Sequence, residues 1–434
     1  MPHRHITFFH IGVIVILVCV GLFSITIGSS SIYKPSAMAK IASSQNGLSL
    51  DSDTPAVMEE LTQHISTPEN VRGIYMTAWV SGTSNLRNKV IDLIDTSPGI
   101  NAVIIDIKDD TGKISFQIDN PLIEQYGSTT NKISDIQNLI KILHDKNIYV
   151  IGRIAVFQDT FLAPQLPQFA VQKSDGSVWR DRKKLAWFDA GSHEVWDYVA
   201  TIAEESYEIG FDEINLDYVR FPSDGDVKSM KFPISEGKEY SSVLGDFFSY
   251  MSSRLRFEKK IPLSADVFGM TTTNHDDLGI GQVLENIVPY VDYIAPMIYP
   301  SHYPATFHGY SKPAEVPYEI ITIATKGAIK RLQAMEEPVS KLRPWLQDFN
   351  LGATYDVTKV NAQMKALADL GIASWMMWDP SNTYTTDAYY TTLDNINSSI
   401  QSVPILYVKP EPTTQPTQTE SVDTNNNGTQ SVIQ

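Results

Sequence analysis

Between about residue 70 and residue 380, short apolar runs rich in β-branched residues alternate with longer stretches in which apolar residues recur every third or fourth position. The runs lie at 71–80, 101–109, 148–157, 211–221, 262–269, 291–300, 342–349 and 372–380. Near-continuous apolar runs of this length, bounded by turn residues, read as strands buried on both faces. The stretches between them, such as 85–96, 133–147, 192–210 and 357–371, carry apolar residues at i, i+3, i+4 and i+7 and read as amphipathic helices. Several end in Gly or Asn immediately before the next run, as helix C-caps do.

Eight strands alternating with helices over roughly 310 residues is the arrangement of a (β/α)8 TIM barrel. A doubly wound open sheet competes with it, but such a sheet usually carries a glycine-rich phosphate turn after its first strand, and "WVSGTSN" holds no GxGxxG. The expected fold is therefore a single α/β barrel domain over 69–408. The loops after its third, fourth and sixth strands are long, and loops at that end of a barrel carry the chemistry.

The flanks have a different texture. Residues 8–28, "FFHIGVIVILVCVGLFSITIG", contain no Asp, Glu, Lys or Arg and are about long enough to span a bilayer, which takes roughly 20 residues. Segment 1–28 reads as an uncleaved signal-anchor, with membrane contact through 8–28. A cleaved signal peptide ending near Ala37–Ala39 is the alternative. Either implies export, to the outer face of the cell membrane or into the medium. Residues 29–68 read as a linker, and 409–434, rich in Thr, Gln, Asn and Pro, as a disordered tail.

Composition narrows the chemistry. A net charge of −16 argues against a nucleic-acid partner, because phosphate binding needs a basic face. The one cysteine, Cys19, lies in the apolar segment, so intrachain disulfides and multi-cysteine metal sites are excluded. "NHDD" at 274–277 lacks a second His at ligand spacing, and no cofactor or metal is expected.

The candidate chemistry sits at the ends of the strands. In "FDEINLDYVRFP" (211–222), alternation puts Glu213, Asn215 and Asp217 on one face, and Leu216 and Tyr218 on the other. If the first face looks into the barrel, Asp217 stands at its C-terminal rim. Asp106 and Lys108, Asp266, Asp348 and Asp379 close the second, fifth, seventh and eighth strands; Arg153 lies on the third and Tyr299 closes the sixth. A single Asp in such a place is most often a turn former or helix cap, and Asp379 and Asp159 suit that role. Asp106 and Lys108 could be an ordinary ion pair, and Glu213 a buried partner of Arg153. Four or five carboxylates converging on one rim beside Trp187, Tyr218, Tyr303, Trp345 and other aromatics is a stronger pattern.

Glycosidic cleavage asks for this supply: one neutral carboxyl to protonate the leaving oxygen, one carboxylate to attack or to activate water, and flat apolar faces for sugar rings. Asp217 is the expected nucleophile or base and Asp266 the expected acid. Asn215, Arg220, Trp345 and His302 join the substrate-binding candidates. Arg220 either favours the charged form of Asp217 or, one residue off the inward register, points away. A metal-dependent hydrolase would usually end its first strand in an HxH pair, which "MTAWV" lacks. A non-catalytic glycan-binding barrel at the cell surface is the serious alternative.

"FDEINLDYVRFP" also resembles the fourth-strand signature of glycoside hydrolase barrels related to the α-amylase group. Together with "VRGIYMTAWV", "APMIYPSHYP" and "RPWLQDF", it is more closely similar to the family of glycosyl hydrolase domains known as DUF4015, over about 70–400. The resemblance implies an exported TIM-barrel glycoside hydrolase acting on a polysaccharide or oligosaccharide. Asp217 matches the nucleophile of the amylase-like pattern and Asp348 its seventh-strand stabilising Asp. Two positions depart from that pattern: Asn215 stands where it has Arg, and Asp266 where it has Glu.

Overall fold

The computed structural model describes residues 63–390 apart from Pro98. The apolar segment 8–28, most of the linker and the Thr/Gln/Asn/Pro tail lie outside the described residues. Eight parallel strands close into a barrel in chain order: β1 (Arg72–Met76), β2 (Ala102–Lys108), β3 (Tyr149–Ala155), β4 (Glu213–Asp217), β5 (Leu263–Phe268), β6 (Tyr293–Met297), β7 (Trp345–Gln347) and β8 (Trp375–Trp378). The TIM barrel read from the sequence is the fold. Every strand falls inside its expected run but is shorter. The first run, for example, ends at Met76 because Thr77 caps a short helix, Ala78–Ser81, by accepting from the Val80 amide at 3.2 Å.

Period-2 alternation sorts the strand residues into two cores. Val103, Ile105, Val150, Ile154, Ile214, Leu216, Leu263 and Val267 face outward, where they pack with the helices Ser84–Thr96, Ile136–His144, His193–Ile209, Tyr240–Met251, Pro317–Ala334 and Val357–Ala368. Gly152 belongs to this outward set because a Cβ there would stand 2.3 Å from Ile107 Cδ1 and 2.8 Å from Phe211. Ala102, Ile104, Tyr149, Ile151, Trp345 and Met376 form a smaller apolar cluster inside the barrel. Charged and polar residues share that interior: Asp106, Arg153, Glu213, Asn215, Ser264 and Asp266 are all at most 5 % exposed.

Registry stacks those interior residues in order. Asp106 is level with Arg153, Arg153 with Asn215, and Asn215 with Ser264, while Ala155 is level with Asp217 one step nearer the C-terminal rim. Between β5 and β6 the described connection holds 3-10 turns, at Gly269–Thr272, Leu284–Asn286 and Val288–Tyr290, in place of an α-helix. Before β1, residues 63–68 of the expected linker are fastened to the N-terminal end of the barrel. The Ile65 amide donates to Asp212 at 2.7 Å, Thr67 pairs with the Tyr149 hydroxyl at 2.8 Å, and the His64 ring stacks on Tyr207 at 3.9 Å.

Candidate active site

A cleft of about 420 Å³ opens at the C-terminal rim, and Asp217 and Asp266 both line it. Asp217 ends β4 and its side chain is 10 % exposed. Arg153 on β3 donates to its Oδ2 through Nε at 3.1 Å and Nη2 at 2.5 Å. The same guanidinium donates through Nη1 to Asp106 at 2.7 Å, and Asp106 in turn accepts from the Tyr75 hydroxyl at 2.5 Å. Burial alone would lower the pKa of Arg153, but the charges of Asp217 and then Asp106 more than offset it and raise it well above the ordinary value.

The backbone just after Asp217 completes its setting. Tyr218 adopts φ +53°, a left-handed conformation unfavourable for a bulky residue by about 1–2 kcal/mol. The turn brings the Tyr218 amide to Asp217 Oδ1 at 2.6 Å, so both carboxylate oxygens accept hydrogen bonds. It also swings the Tyr218 ring into the cleft wall. Strict alternation would have sent that ring outward, and the broken register is what brings Arg220 to the cleft as well.

Asp266, on β5, has an unequal pair of oxygens. Its Oδ1 accepts from Asn215 Nδ2 at 2.9 Å and from the Trp345 indole at 2.7 Å. Its Oδ2 has no hydrogen-bond partner among the described residues, and the side chain lines the cleft. Burial, and next the negative charge of Asp217, push this carboxyl well above the usual range. Both effects favour the protonated form, and with Oδ1 committed as an acceptor, Oδ2 is the oxygen free to carry the proton.

Aromatic and neutral polar groups complete the wall. Trp378 lines the cleft while stacked on Tyr75 at 3.9 Å. Tyr299 lines it with a hydroxyl that has no partner among the described residues. Burial, Asp266 and Asp217 raise its pKa well above the ordinary value, so it is an O–H donor. His302 also lines the cleft, its Nδ1 3.1 Å from Ser301 Oγ, and burial lowers its pKa toward the neutral imidazole. Gly269 permits close packing at the edge, since a Cβ there would meet the Met297 carbonyl and the Tyr303 hydroxyl, each at 2.5 Å.

Other sequence candidates lie elsewhere. Asp348 does not line the cleft: it accepts from the Thr385 amide (2.9 Å), the Thr385 hydroxyl (2.6 Å) and the Tyr389 hydroxyl (2.6 Å), tying the end of β7 to the segment after β8. Asp379 is a turn former, accepting from the Ser381 amide at 2.8 Å and the Thr383 amide at 3.1 Å. Lys108 does not pair with Asp106. A bulge between these residues turns it to Asp159, 3.0 Å away, and to the Ala155 carbonyl. Glu213 is the partner of Arg343, at 2.7 Å, and not of Arg153. Arg220 makes no ion pair with Asp217 and points into the cleft wall. Asn215 and Trp345 act beneath the surface, on Asp266. Among the described residues, no group of three or more His, Cys, Asp or Glu is placed to hold a metal ion, His275 to Asp277 included.

The DUF4015 family, described as "Putative glycosyl hydrolase domain", matches residues 73–384. Among solved structures, a hypothetical protein from Ruminiclostridium thermocellum is 36 % identical over 45 % of this chain and 97 % of its own, with a TM-score of 0.40. The glycoside hydrolase domain of PgaB (BpsB) from Bordetella bronchiseptica is 13 % identical over 76 % of this chain and 97 % of its own, with a TM-score of 0.53, which shows a shared fold. An α-galactosidase from Thermus thermophilus is 12 % identical over 78 % of this chain and 63 % of its own, at TM-score 0.48. A comparison with curated proteins finds no match.

Proposed function

Because the chain belongs to the DUF4015 glycosyl hydrolase family and carries two differently held carboxyls in one cleft, we propose that it hydrolyses a glycan by a two-carboxylate mechanism. The observation that carries this reading is the asymmetry of Asp217 and Asp266. One is an ion-paired carboxylate. The other is a buried acid with a single free oxygen.

Asp266 Oδ2–H donates its proton to the glycosidic oxygen as the bond from the anomeric carbon to that oxygen breaks. Asp217 either bonds to the anomeric carbon and is later released by water, or takes a proton from a water that bonds there directly. Arg153 holds Asp217 in place, with Asp106 and Tyr75 fixing Arg153 from behind. Asn215 and Trp345 hold Asp266 Oδ1 so that the other oxygen presents the proton. Tyr299 and His302 offer neutral polar contacts for sugar hydroxyls, and Trp378 offers an apolar ring face.

Trp79, 70 % exposed in the short helix after β1 and so at the same end of the barrel as the cleft, is proposed as a stacking platform for a longer glycan. Export through residues 8–28, as an anchor or a cleaved leader, is part of the proposal and rests on the sequence alone. Membrane fractionation with N-terminal sequencing of the mature protein tests it.

The test of activity is release of reducing ends from α- and β-glucans and bacterial wall polysaccharides, comparing the wild type with Asp217→Asn. Hydrolysis that disappears in a variant with normal melting supports the mechanism. Retention of a glycan on an affinity gel without any hydrolysis would replace the enzyme with a binding barrel.

A further inference from the structure

The cleft holds two guanidinium groups in opposite electrostatic states. Arg153 is neutralised by Asp217 and Asp106. Arg220 has no carboxylate within ion-pair distance among the described residues. Its Nη1 donates to the Phe221 carbonyl at 3.1 Å and to Ser223 Oγ at 3.3 Å, while Nε and Nη2 have no acceptor among the described residues. Aromatic rings support it instead: its Cζ stands 4.6 Å from the Trp187 ring centroid, 5.0 Å from Phe268 and 5.9 Å from Tyr218.

Trp187 is itself immobilised. Its indole donates to Asp181 at 3.1 Å, and Asp181 also accepts from Gln158 Nε2 at 3.2 Å and the Leu185 amide at 2.9 Å. Asp181 is thus held by neutral donors and forms no ion pair with Arg220, acting on it only through its charge from farther off. Burial lowers the pKa of Arg220, opposed only in part by Tyr218, Asp217, Asp224 and Asp181. A charge kept in a partly buried, aromatic-walled position without a counterion is costly unless something supplies one.

We propose that Arg220 is the counterion of an acidic sugar, so that the cleft takes glycans bearing an oxyanion, a carboxylate in the first instance, beside the bond that is cleaved. The planar fork of free Nε and Nη2 fits two oxygens of one such group. The charge count of the cleft allows it. Among the cleft-lining residues Arg153 and Arg220 supply two positive charges against Asp217 and a protonated Asp266, with Asp106 behind Arg153 and with Asp181 and Asp224 acting on Arg220 from outside the lining. This inference rests on the glycan-hydrolase reading and deepens it to a substrate class.

The test uses polysaccharides of uronic acids, such as polygalacturonate, alginate and hyaluronan, each beside its carboxyl-reduced form, which keeps the backbone and linkages and loses only the charge. Binding on affinity gels and reducing-end release are measured for the full chain, for Arg220→Gln and for Arg220→Lys, with melting temperature as the folding control. The expected result is a preference for at least one acidic form over its reduced form that weakens with added salt. Arg220→Gln should cut the acidic-to-reduced ratio of kcat/KM at least ten-fold, mainly through KM, and Arg220→Lys should restore part of it. A chain that hydrolyses neutral glycans equally well, or whose acidic preference survives in Arg220→Gln, overturns this inference and leaves the hydrolase reading standing. Binding of an acidic glycan through Arg220 without hydrolysis keeps the anion site and removes the hydrolase. If none of the acidic polymers is bound or cleaved, the acidic-sugar assignment falls.

Discussion

The two ends of the barrel interior hold the same three kinds of group in different states of closure. At the N-terminal end Arg343 donates to Glu213 at 2.7 Å, and the Tyr149 hydroxyl donates to the other Glu213 oxygen at 3.0 Å. At the C-terminal end Arg153 donates to Asp106, whose other oxygen takes the Tyr75 hydroxyl. Glu213 and Arg343 are 0 % exposed, a sealed plug. The upper group has two additions: Asp217, which shares Arg153 and reaches the cleft, and Asp266, which keeps one oxygen free. A tyrosine, an arginine and a carboxylate thus make a structural pin when the charges close on themselves. They become the footing of a reactive site when one more acid is placed within their reach.

That contrast can be broken from either end. The largest effect is expected of Asp217→Asn, which should lower turnover by roughly 1,000-fold or more, about 4 kcal/mol of transition-state stabilisation, with only a small shift in melting temperature because the buried Arg153 keeps Asp106 as its partner. Steady-state kinetics beside a thermal melt check both halves. Asp266→Asn comes next, with a loss of about 100-fold or more for substrates whose leaving group needs a proton. In the wild type, activity should fall as pH rises through the raised Asp266 pKa, and a pH–rate profile shows whether that limb exists.

The same titration has a stability consequence. A carboxyl whose folded pKa is raised holds its proton more tightly when folded, so its contribution is fully present below the unfolded value of about 3.9 and is lost as pH rises toward the folded value. Asp266→Asn does not titrate, so its melting temperature relative to the wild type should climb from pH 4 to pH 7. A constant difference would mean that Asp266 is not the strained group described here.

At the other end, Glu213→Gln should leave the catalytic constants of folded protein near wild type while costing about 3–5 kcal/mol of stability, since it strips the charge from the partner of a buried Arg. Urea unfolding with kinetics on the folded fraction tests it; a large drop in kcat would join the two ends functionally. The smallest effect belongs to Trp79→Ala, which should weaken binding of long glycans several-fold and leave short ones unaffected, as affinity against chain length would show.

The sequence made the scaffold legible because burial on both faces leaves a strong mark: eight β-branched runs and the helices between them name the barrel and its order. Asp217 and Asp266 were legible for the same reason, since alternation from Ile214, Leu216, Ala265 and Val267 leaves only one face for them. The partners were not. Arg153 could reach Glu213 or Asp217 from the same face, and only registry between strands places it level with Asn215, one step from Asp217. A bulge at Ile107 turned Lys108 away from Asp106, and no residue type announces such a bulge. The positive φ of Tyr218 is still less legible, because a tyrosine is a poor choice for that conformation and nothing in the pattern warns of it. Asp348 shows the opposite error. A strand-end acid in a matching motif was captured by hydroxyls and an amide after β8, which lie far along the chain.

The segment between β3 and the following helix organises itself around Asp181, through Gln158, the Leu185 amide and the Trp187 indole, and sets the buried Trp187 ring behind Arg220. The residues that would break the bond stand on strands, whereas much of the surface that would choose the sugar comes from the connections after β4, β5 and β6, one of which this segment braces through Arg220. Such a division of labour makes the protein modular. Exchange of those connections between relatives is a route to new preferences that leaves the reaction centre intact, and for an engineer they are the place to begin grafting.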